Sequence, residues 1–428
     1  MRYAPIDPML FKNNRSRFIK SLPNNSIAIF HSNDQMPKNA DQLMKFKQNS
    51  DLFHLCGIDQ EETVLTVLKD DNQITEAVYI RETNDLIKVW EGKKLTKEKA
   101  KKISGINNIV WNKHFKDEII KNLNNSNISS VYLNSNEHPR ATIVVESRDA
   151  RFKKWISEKY PNKRYRKCSD LLYPIRSVKN NHEINLIKQA CDITSLGVSR
   201  VLKILKPGIY EYEIEAEIIH EFLINKSSGF AYDPIIASGE NACILHYGDN
   251  NKICKDGDVV LMDFGAEYAN YASDLTRCFP VNGKFSKRQK DVYNSVLSVM
   301  KQAKKVLRPG VMLVEYEKMV GQMMEKELVD LGLISINEIK NSKHIPAYKK
   351  YYMHGTSHHL GLDVHDVSEP NSSISEGMVL TCEPGIYIPE EKLGIRLEND
   401  ILIGEIENTD LMKDIPIEAE EIESLLNI

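Results

Sequence analysis

Apolar and polar positions follow two different rhythms along this chain. In the first third, short strand-like runs at Ser26–His31, Glu62–Leu68, Glu76–Ile80 and Ser130–Leu133 are separated by lysine-rich stretches of helical spacing, Leu95–Ser104 and Phe115–Asn122. Strands interleaved with helices predict an α/β domain. The pattern stops at CSDLLYPIRS, Cys168–Ser177, after which His182–Leu205 carries apolar residues at helical spacing and closes on Pro207-Gly208. A domain boundary is therefore expected near Asp170–Ser177, dividing the chain into residues 1–172 and 173–428.

Beyond that boundary the same order of elements occurs twice. A helical pair, Glu183–Leu205 and Glu211–Leu223, leads into the strand that holds Asp263. A second pair, Ser286–Leu307 and Val314–Leu331, leads into the strands that hold His358 to Glu398. The turns LKPG before Ile209 and LRPG before Val311 hold equivalent places, so a duplicated half-domain is predicted. The acidic stretch Glu418–Glu423 reads as a solvated helix end.

Composition narrows the class. A chain of 428 residues exceeds one compact core, and 41% apolar residues suffice for two. With 57 basic against 60 acidic residues and no basic run interleaved with aromatics, nucleic acid is not an expected partner. The amino terminus, MRYAPIDPMLFKNNRSRF, has charges and prolines where a secretory signal needs an apolar core, and no run reaches membrane-spanning length. A soluble, cytoplasmic protein without a membrane partner is expected. The seven cysteines are odd in number and form no CxxC pair, which predicts buried or half-buried free thiols.

The chemistry concentrates in VVLMDFGAEYANYASDLTRCFP, Val259–Pro280, which sets Asp263 and Asp274 in an apolar, strand-like context. Either aspartate alone reads as a turn or edge residue. The segment EYANY between them can form a hairpin that brings the two together. Downstream, HGTSHHLGLDVHD offers His358, LTCEPGIYI offers Glu383 and GIRLEND offers Glu398. Four carboxylates and one imidazole suit manganese, cobalt, iron or magnesium better than a thiolate-bound structural zinc. Two divalent cations would balance the four carboxylates, and a hydroxide bridging them would be a nucleophile near neutral pH. His354, His358, His359 and His365 cluster in one segment, with His344 upstream and His246 in ILHYGDN. His344 and His359 read as ordinary hydrogen-bonded side chains, whereas His246, His354 and His365 are active-site candidates.

The segments MDFGAEYANYASDLTR, HGTSHHLGLDVHD, CEPGIY and GIRLEND together resemble the metal-site motifs of the M24, or pita-bread, metallopeptidases, across the whole carboxyl-terminal domain. KNADQLMKFKQNSDLFHLCGIDQEETVLTVL is similar to the amino-terminal domain of the aminopeptidase P (Xaa-Pro aminopeptidase) branch, and Ser357 before His358 fits that branch better than the glycine usual in prolidases. The resemblance implies an α/β (α+β) fold: an amino-terminal creatinase/aminopeptidase P-type domain followed by a pseudo-symmetric pita-bread domain. It implies two divalent metal ions per subunit, manganese foremost, held by Asp263, Asp274, His358, Glu383 and Glu398, with Asp274 and Glu398 bridging. Glu383 would also shuttle protons, and His354 and His365 would stabilise the tetrahedral intermediate or the substrate carbonyl. His246 would line the entrance and Arg396 would sit beside Glu398.

The implied reaction is release of the first residue from peptides with proline second, by attack of the bridging hydroxide on the scissile carbonyl. The alternatives are an Xaa-Pro dipeptidase and a non-catalytic pita-bread binding protein, the second expected to have lost ligands that this chain keeps. Dimers or tetramers are the expected assembly, with an amino-terminal domain reaching toward a neighbour's site. One departure stands out: after His365-Asp366-Val367 the chain reads Ser368-Glu369-Pro370-Asn371 in place of the family's glycine and nearby aromatic, so the proline pocket is expected to differ.

Overall fold

The strand Ser26–His31 is buried at every position, because its side chains alternate between two separate cores. Ala28 and Phe30 join Leu65, Val67, Leu52, Leu55 and Phe18 on one face, while Ile27 and Ile29 join Val64, Leu68, Phe115, Ile119 and Ile156 on the other. A strand covered on both faces reads as a continuous apolar run, which is how it stands in the sequence. In this computed structural model, which describes residues 3–71, 73–124, 127–135, 144–342, 344–369 and 371–426, it is central in a six-stranded mixed sheet. The order is Ile109–Trp111, Ile74–Ile80, Val64–Lys69, Ser26–His31, Ser130–Leu133, Arg164–Lys167. Helices from Pro8–Ser21 to Arg148–Lys159 cover it, the first opened by Asp7 as N-cap and Pro8 in the first turn.

The chain divides into two compact units between Arg176 and Ser177. Tyr3 groups with the second unit, its ring meeting that of Tyr268 at 6.2 Å. In that second unit the duplication is visible in hydrogen bonds. Gly208 and Gly310 both adopt positive φ, 93° and 86°. Gly208 N donates to Cys254 O and Cys254 N to Ile209 O; Gly310 N donates to Ile374 O and Ile374 N to Val311 O. Each turn then opens a helix, Glu211–Ile224 or Leu313–Asp330, whose third residue, Glu213 or Glu315, reaches back to the backbone N–H of Tyr210 or Met312. The first half supplies the sheet Ile235–Ser238, Val259–Asp263, Thr276–Pro280, and the second supplies Val379–Cys382 paired with Asn399–Leu402 and Gly385–Ile388 paired with Leu393–Arg396. Of the sequence departure after His365, Pro370 lies outside the described residues.

Two sequence expectations hold, for the acidic tail and for the cysteines. The acidic tail begins a helix, Ala419–Leu426, with Glu423 and Glu420 on Lys290 at 2.9 and 3.0 Å and Glu418 on Lys301 at 2.6 Å. Glu418, Glu420 and Glu421 stay exposed. Six cysteines are buried, Cys243 is half-buried, and all seven are free thiols. Among the described residues no helix is long and apolar enough to cross a membrane.

The hairpin that EYANY predicts is present: Ala266–Tyr268 pairs with Tyr271–Ala272, and Ala269 and Asn270 take φ of 52° and 68° to turn the chain. Gly265 sits where the hairpin folds back, and a Cβ there would lie 1.7 Å from Ser273 O. No side-chain rotation relieves a clash with backbone. Gly265→Ala is therefore expected to open the Asp263–Asp274 hairpin and to lower stability by roughly 3 kcal/mol or more. A variant that keeps both its melting temperature and its bound-metal content would refute this.

Candidate metal centre

Strand register builds the site. Asp263 ends the strand Val259–Asp263 opposite Thr276, and Thr276 is bridged in turn to Glu398. Glu398 N donates to Thr276 O at 3.1 Å, and Thr276 Oγ1 donates to Glu398 Oε2 at 2.7 Å. Arg277, fully buried, holds the same junction from behind by donating to Glu398 O at 2.8 Å and Asn399 Oδ1 at 2.8 Å. From the second half, His358 pairs its backbone with Thr381, and Glu383 N donates to Thr356 O at 2.8 Å. Strands remote in sequence thus deliver Asp263, Asp274, His358, Glu383 and Glu398 to one place.

Asp274, His358 and Glu398 each offer a ligand atom, all within 4.8 Å of one another. Glu383 adjoins them, with Oε1 3.6 Å from His358 Nε2, and that same nitrogen is 3.4 Å from Asp274 Oδ2. His358 Nδ1 lies 3.1 Å from His359 O. Donation of a proton to that carbonyl leaves the Nε2 lone pair aimed at the carboxylates, which is how a ligating histidine is oriented. Asp263 joins through Tyr232, whose hydroxyl is 2.7 Å from Asp263 Oδ1 and 2.5 Å from Asp274 Oδ1. One hydroxyl proton cannot serve both contacts, so the pair calls for a proton on a carboxyl group or a cation between them.

The electrostatics point the same way. Burial raises the carboxyl groups of Asp274, Glu383 and Glu398 well above their ordinary range, and the neighbouring carboxylates raise them further. Arg396, 4% exposed, and Arg277 behind Glu398 supply two guanidinium groups to offset four carboxylates. An acidic cluster so short of positive charge, with an imidazole lone pair turned into it, fits hard or borderline divalent cations.

Arg396 stands near enough to Glu398 for their charges to interact, as expected, but its hydrogen bonds go elsewhere: Nη2 donates to Asp263 Oδ2 at 2.6 Å, Nη1 to the Tyr387 hydroxyl at 2.7 Å and Nε to Thr276 Oγ1 at 3.2 Å. His354 Nδ1 sits 2.7 Å from Gly355 O and 3.5 Å from Glu383 Oε2, and Nε2 sits 2.7 Å from the Tyr387 hydroxyl. Burial and the Arg396 charge depress the His354 imidazole to about 3, so it is neutral. His365 is exposed, with its ring edge-on to that of His358 at 4.4 Å. His246 is exposed on the loop after the short helical turn Gly239–Cys243, and its charge acts on His354. His359 is buried with Nδ1 unpartnered, where the sequence suggested a hydrogen-bonded side chain, and burial pushes its imidazole down to about 3.

Sequence reasoning missed Tyr232, Thr276, Arg277 and Tyr387. Thr276 and Arg277 lie in the DLTR run and Tyr387 in EPGIYI, two of the segments that carry the site, so proximity to a ligand was a signal for three of the four. Tyr232 lies in FAYDP, away from every one of them.

The profile of metallopeptidase family M24 matches residues 185–405, and that of the aminopeptidase P amino-terminal domain matches residues 11–132. Over 429 residues the chain is 33% identical to an Xaa-Pro aminopeptidase of Haemophilus influenzae, covering 97% of each. It is also 33% identical over 432 residues to the Xaa-Pro aminopeptidase of Escherichia coli, again covering 97% of each. The structure of zinc-substituted E. coli aminopeptidase P in complex with product matches with a TM-score of 0.88 at 31% identity, covering 99% of both chains. Two adjoining profiles in the expected order, full-length relatives and a shared fold agree with the geometry of the centre: this chain belongs to metallopeptidase family M24.

Proposed function

We propose that this protein is a divalent-metal-dependent aminopeptidase that releases the amino-terminal residue from peptides with proline in second place. The observation that carries the reading is the largely buried cluster of four carboxylates and one oriented imidazole, with two arginines, Arg396 and Arg277, beside it to offset the charge. Its full-length relatives named Xaa-Pro aminopeptidase supply the specificity. Asp263, Asp274, His358, Glu383 and Glu398 would hold two cations, with manganese the expected metal. When bound, such ions polarise a carbonyl oxygen and lower the pKa of water toward neutrality.

The chain's own groups then divide the work. Glu383, against His354 on one oxygen and His358 on the other, takes the proton from the attacking water and delivers it to the leaving proline nitrogen. His365, exposed beside His358, is placed to meet a substrate carbonyl. His354 is committed to Gly355 O and Tyr387, so it acts by holding the Tyr387 hydroxyl, which Arg396 also grips. His246 lies at the approach. An Xaa-Pro bond has no amide hydrogen and two accessible isomers, so recognition rests on the ring and the free amino terminus. Cytoplasmic residence and a dimer or tetramer complete the reading.

The test is hydrolysis of an Xaa-Pro-Xaa tripeptide, an Xaa-Ala-Xaa tripeptide and an Xaa-Pro dipeptide, by metal-stripped enzyme with and without manganese. Manganese-dependent release of the first residue from the prolyl tripeptide alone is the expected result. Cleavage of only the dipeptide would move the assignment to a dipeptidase, equal cleavage of the alanyl and prolyl tripeptides would remove the specificity, and no cleavage would leave a binding protein.

A further inference from the structure

The amino-terminal unit contains a cavity of about 530 Å³ that peptidase chemistry does not use, a volume within the usual range of small-molecule sites. Lys113, Lys116, Arg148 and Arg151 line it, and no carboxylate does. We propose that it binds a small organic dianion borne on a flat ring, of the phosphate monoester class, the cations holding the anion and an aromatic wall stacking the ring.

The floor distinguishes this place from a solvated basic face. His31, also part of the lining, is 4% exposed, and its Nδ1 lies 2.8 Å from Oδ1 of the equally buried Asp149. A buried histidine–carboxylate pair is a poor device for stability, since desolvation offsets most of its attraction. It is a good device for orientation: Asp149 fixes the ring through Nδ1, and with both ring nitrogens protonated Nε2–H donates to a phosphate oxygen. From that floor the aromatic wall is continuous, with ring centroids 4.5 Å apart for His31 and Phe152, 5.6 Å for Phe115 and Phe152, and 5.5 Å for Phe152 and Trp155. Offset and tilted rings at these separations make an apolar face that stacks a planar group.

The charge at the rim matches a dianion. Asp34 is shared by Arg148 at 3.1 Å and Arg151 at 2.8 Å, and Lys113 pairs with Glu82 at 2.7 Å, a contact with both partners largely exposed. Lys116 stands 5.9 Å over the Trp155 ring. Four lining cations and a His31 imidazolium, less the carboxylates of Asp34, Glu82 and Asp149, leave two positive charges. The exposed Lys113–Glu82 pair is weak and rearranges readily, while both arginines keep N–H donors that Asp34 does not use and that match phosphate oxygens in geometry.

The experiment is calorimetric titration of the full-length, metal-loaded protein with phenyl phosphate and, separately, with inorganic phosphate. Saturable one-to-one binding of phenyl phosphate is expected, at least about tenfold tighter than inorganic phosphate and weakened by about tenfold or more in Lys116→Gln/Arg151→Gln. Both substituted side chains are exposed, so this variant should fold and should keep its peptidase activity. His31→Gln, checked by its melting curve, should weaken binding as well. Absence of saturable heat, equal affinity for the two probes, or binding that survives the double substitution and therefore belongs to the metal centre would each overturn the proposal.

Discussion

Glu383→Gln should lower kcat on a prolyl tripeptide by roughly a thousandfold or more while changing KM little, because it removes a proton carrier without removing bulk. The carboxyl group is half-buried, and desolvation with the neighbouring Glu398 and Asp274 raises its pKa while Arg396 pulls it down. Cations held by the same cluster would draw it down further, which favours the ionised form that accepts a proton. Position supports the role as much as acidity does. Oε2 faces His354 Nδ1 at 3.5 Å, Oε1 faces His358 Nε2 at 3.6 Å, and the backbone is fixed by Glu383 N donating to Thr356 O at 2.8 Å. The amide of glutamine can keep an oxygen toward the metals but cannot take up the proton. Metal content measured on the same sample separates the two roles: loss of metal would assign Glu383 as a ligand first, and retention of both ions with more than about a tenth of the activity would exclude it as the shuttle.

The parts of the architecture that follow from local pattern were legible in the sequence. Ser26–His31 and Ser130–Leu133 are strands over the predicted residues, because a doubly covered strand needs an unbroken apolar run. The helices Asn181–Ile204 and Lys287–Val306 begin within one or two residues of expectation, because Asn180 with Glu183 and Ser286 with Gln289 form reciprocal caps. The turn in EYANY was readable for a similar reason, since Asn tolerates positive φ. The helix Pro8–Ser21 was readable too, through the Asp7-Pro8 signal, but its low apolar contrast hid it.

What could not be read was decided by pairing between distant strands. That Thr276 serves Glu398, 122 positions away, and that Arg396 reaches Asp263, 133 positions away, depend on registers that no local pattern encodes. Tyr232 is the sharpest instance: its hydroxyl lies between two of the expected ligands, yet its neighbours in sequence carry no metal-binding residue.

Removing the cations should make stability fall as pH rises through neutrality, and restoring them should flatten the curve. Burial first, and the other carboxylates second, hold Asp274, Glu383 and Glu398 well above the ordinary carboxylate range in the metal-free protein. Groups whose folded pKa is raised bind protons more tightly folded than unfolded. Their contribution is therefore full below the unfolded value near pH 4 and is lost as pH climbs toward the raised folded values. His354 and His359 run the other way. Their imidazoles are pushed down to about 3, so they cost stability as pH falls below the unfolded value near 6.5 and are silent above it. Between about pH 6.5 and pH 8.5 the carboxylates act, joined at the upper end by buried thiols whose folded pKa burial also raises, and retention of one net proton by the fold across that span lowers the melting temperature by on the order of 5 °C. Below about pH 6 the two histidines oppose the three carboxyl groups and flatten the slope. Divalent cations replace the protons in the cluster, so the manganese-loaded protein should melt higher and show little slope in the same window. Scanning calorimetry of chelator-dialysed and manganese-reconstituted samples in matched buffers reads both effects. A metal-free protein whose melting temperature stays level or rises from about pH 6.5 to pH 8.5 would mean that the cluster is already neutralised by the chain itself, and that these carboxylates are not waiting for metal.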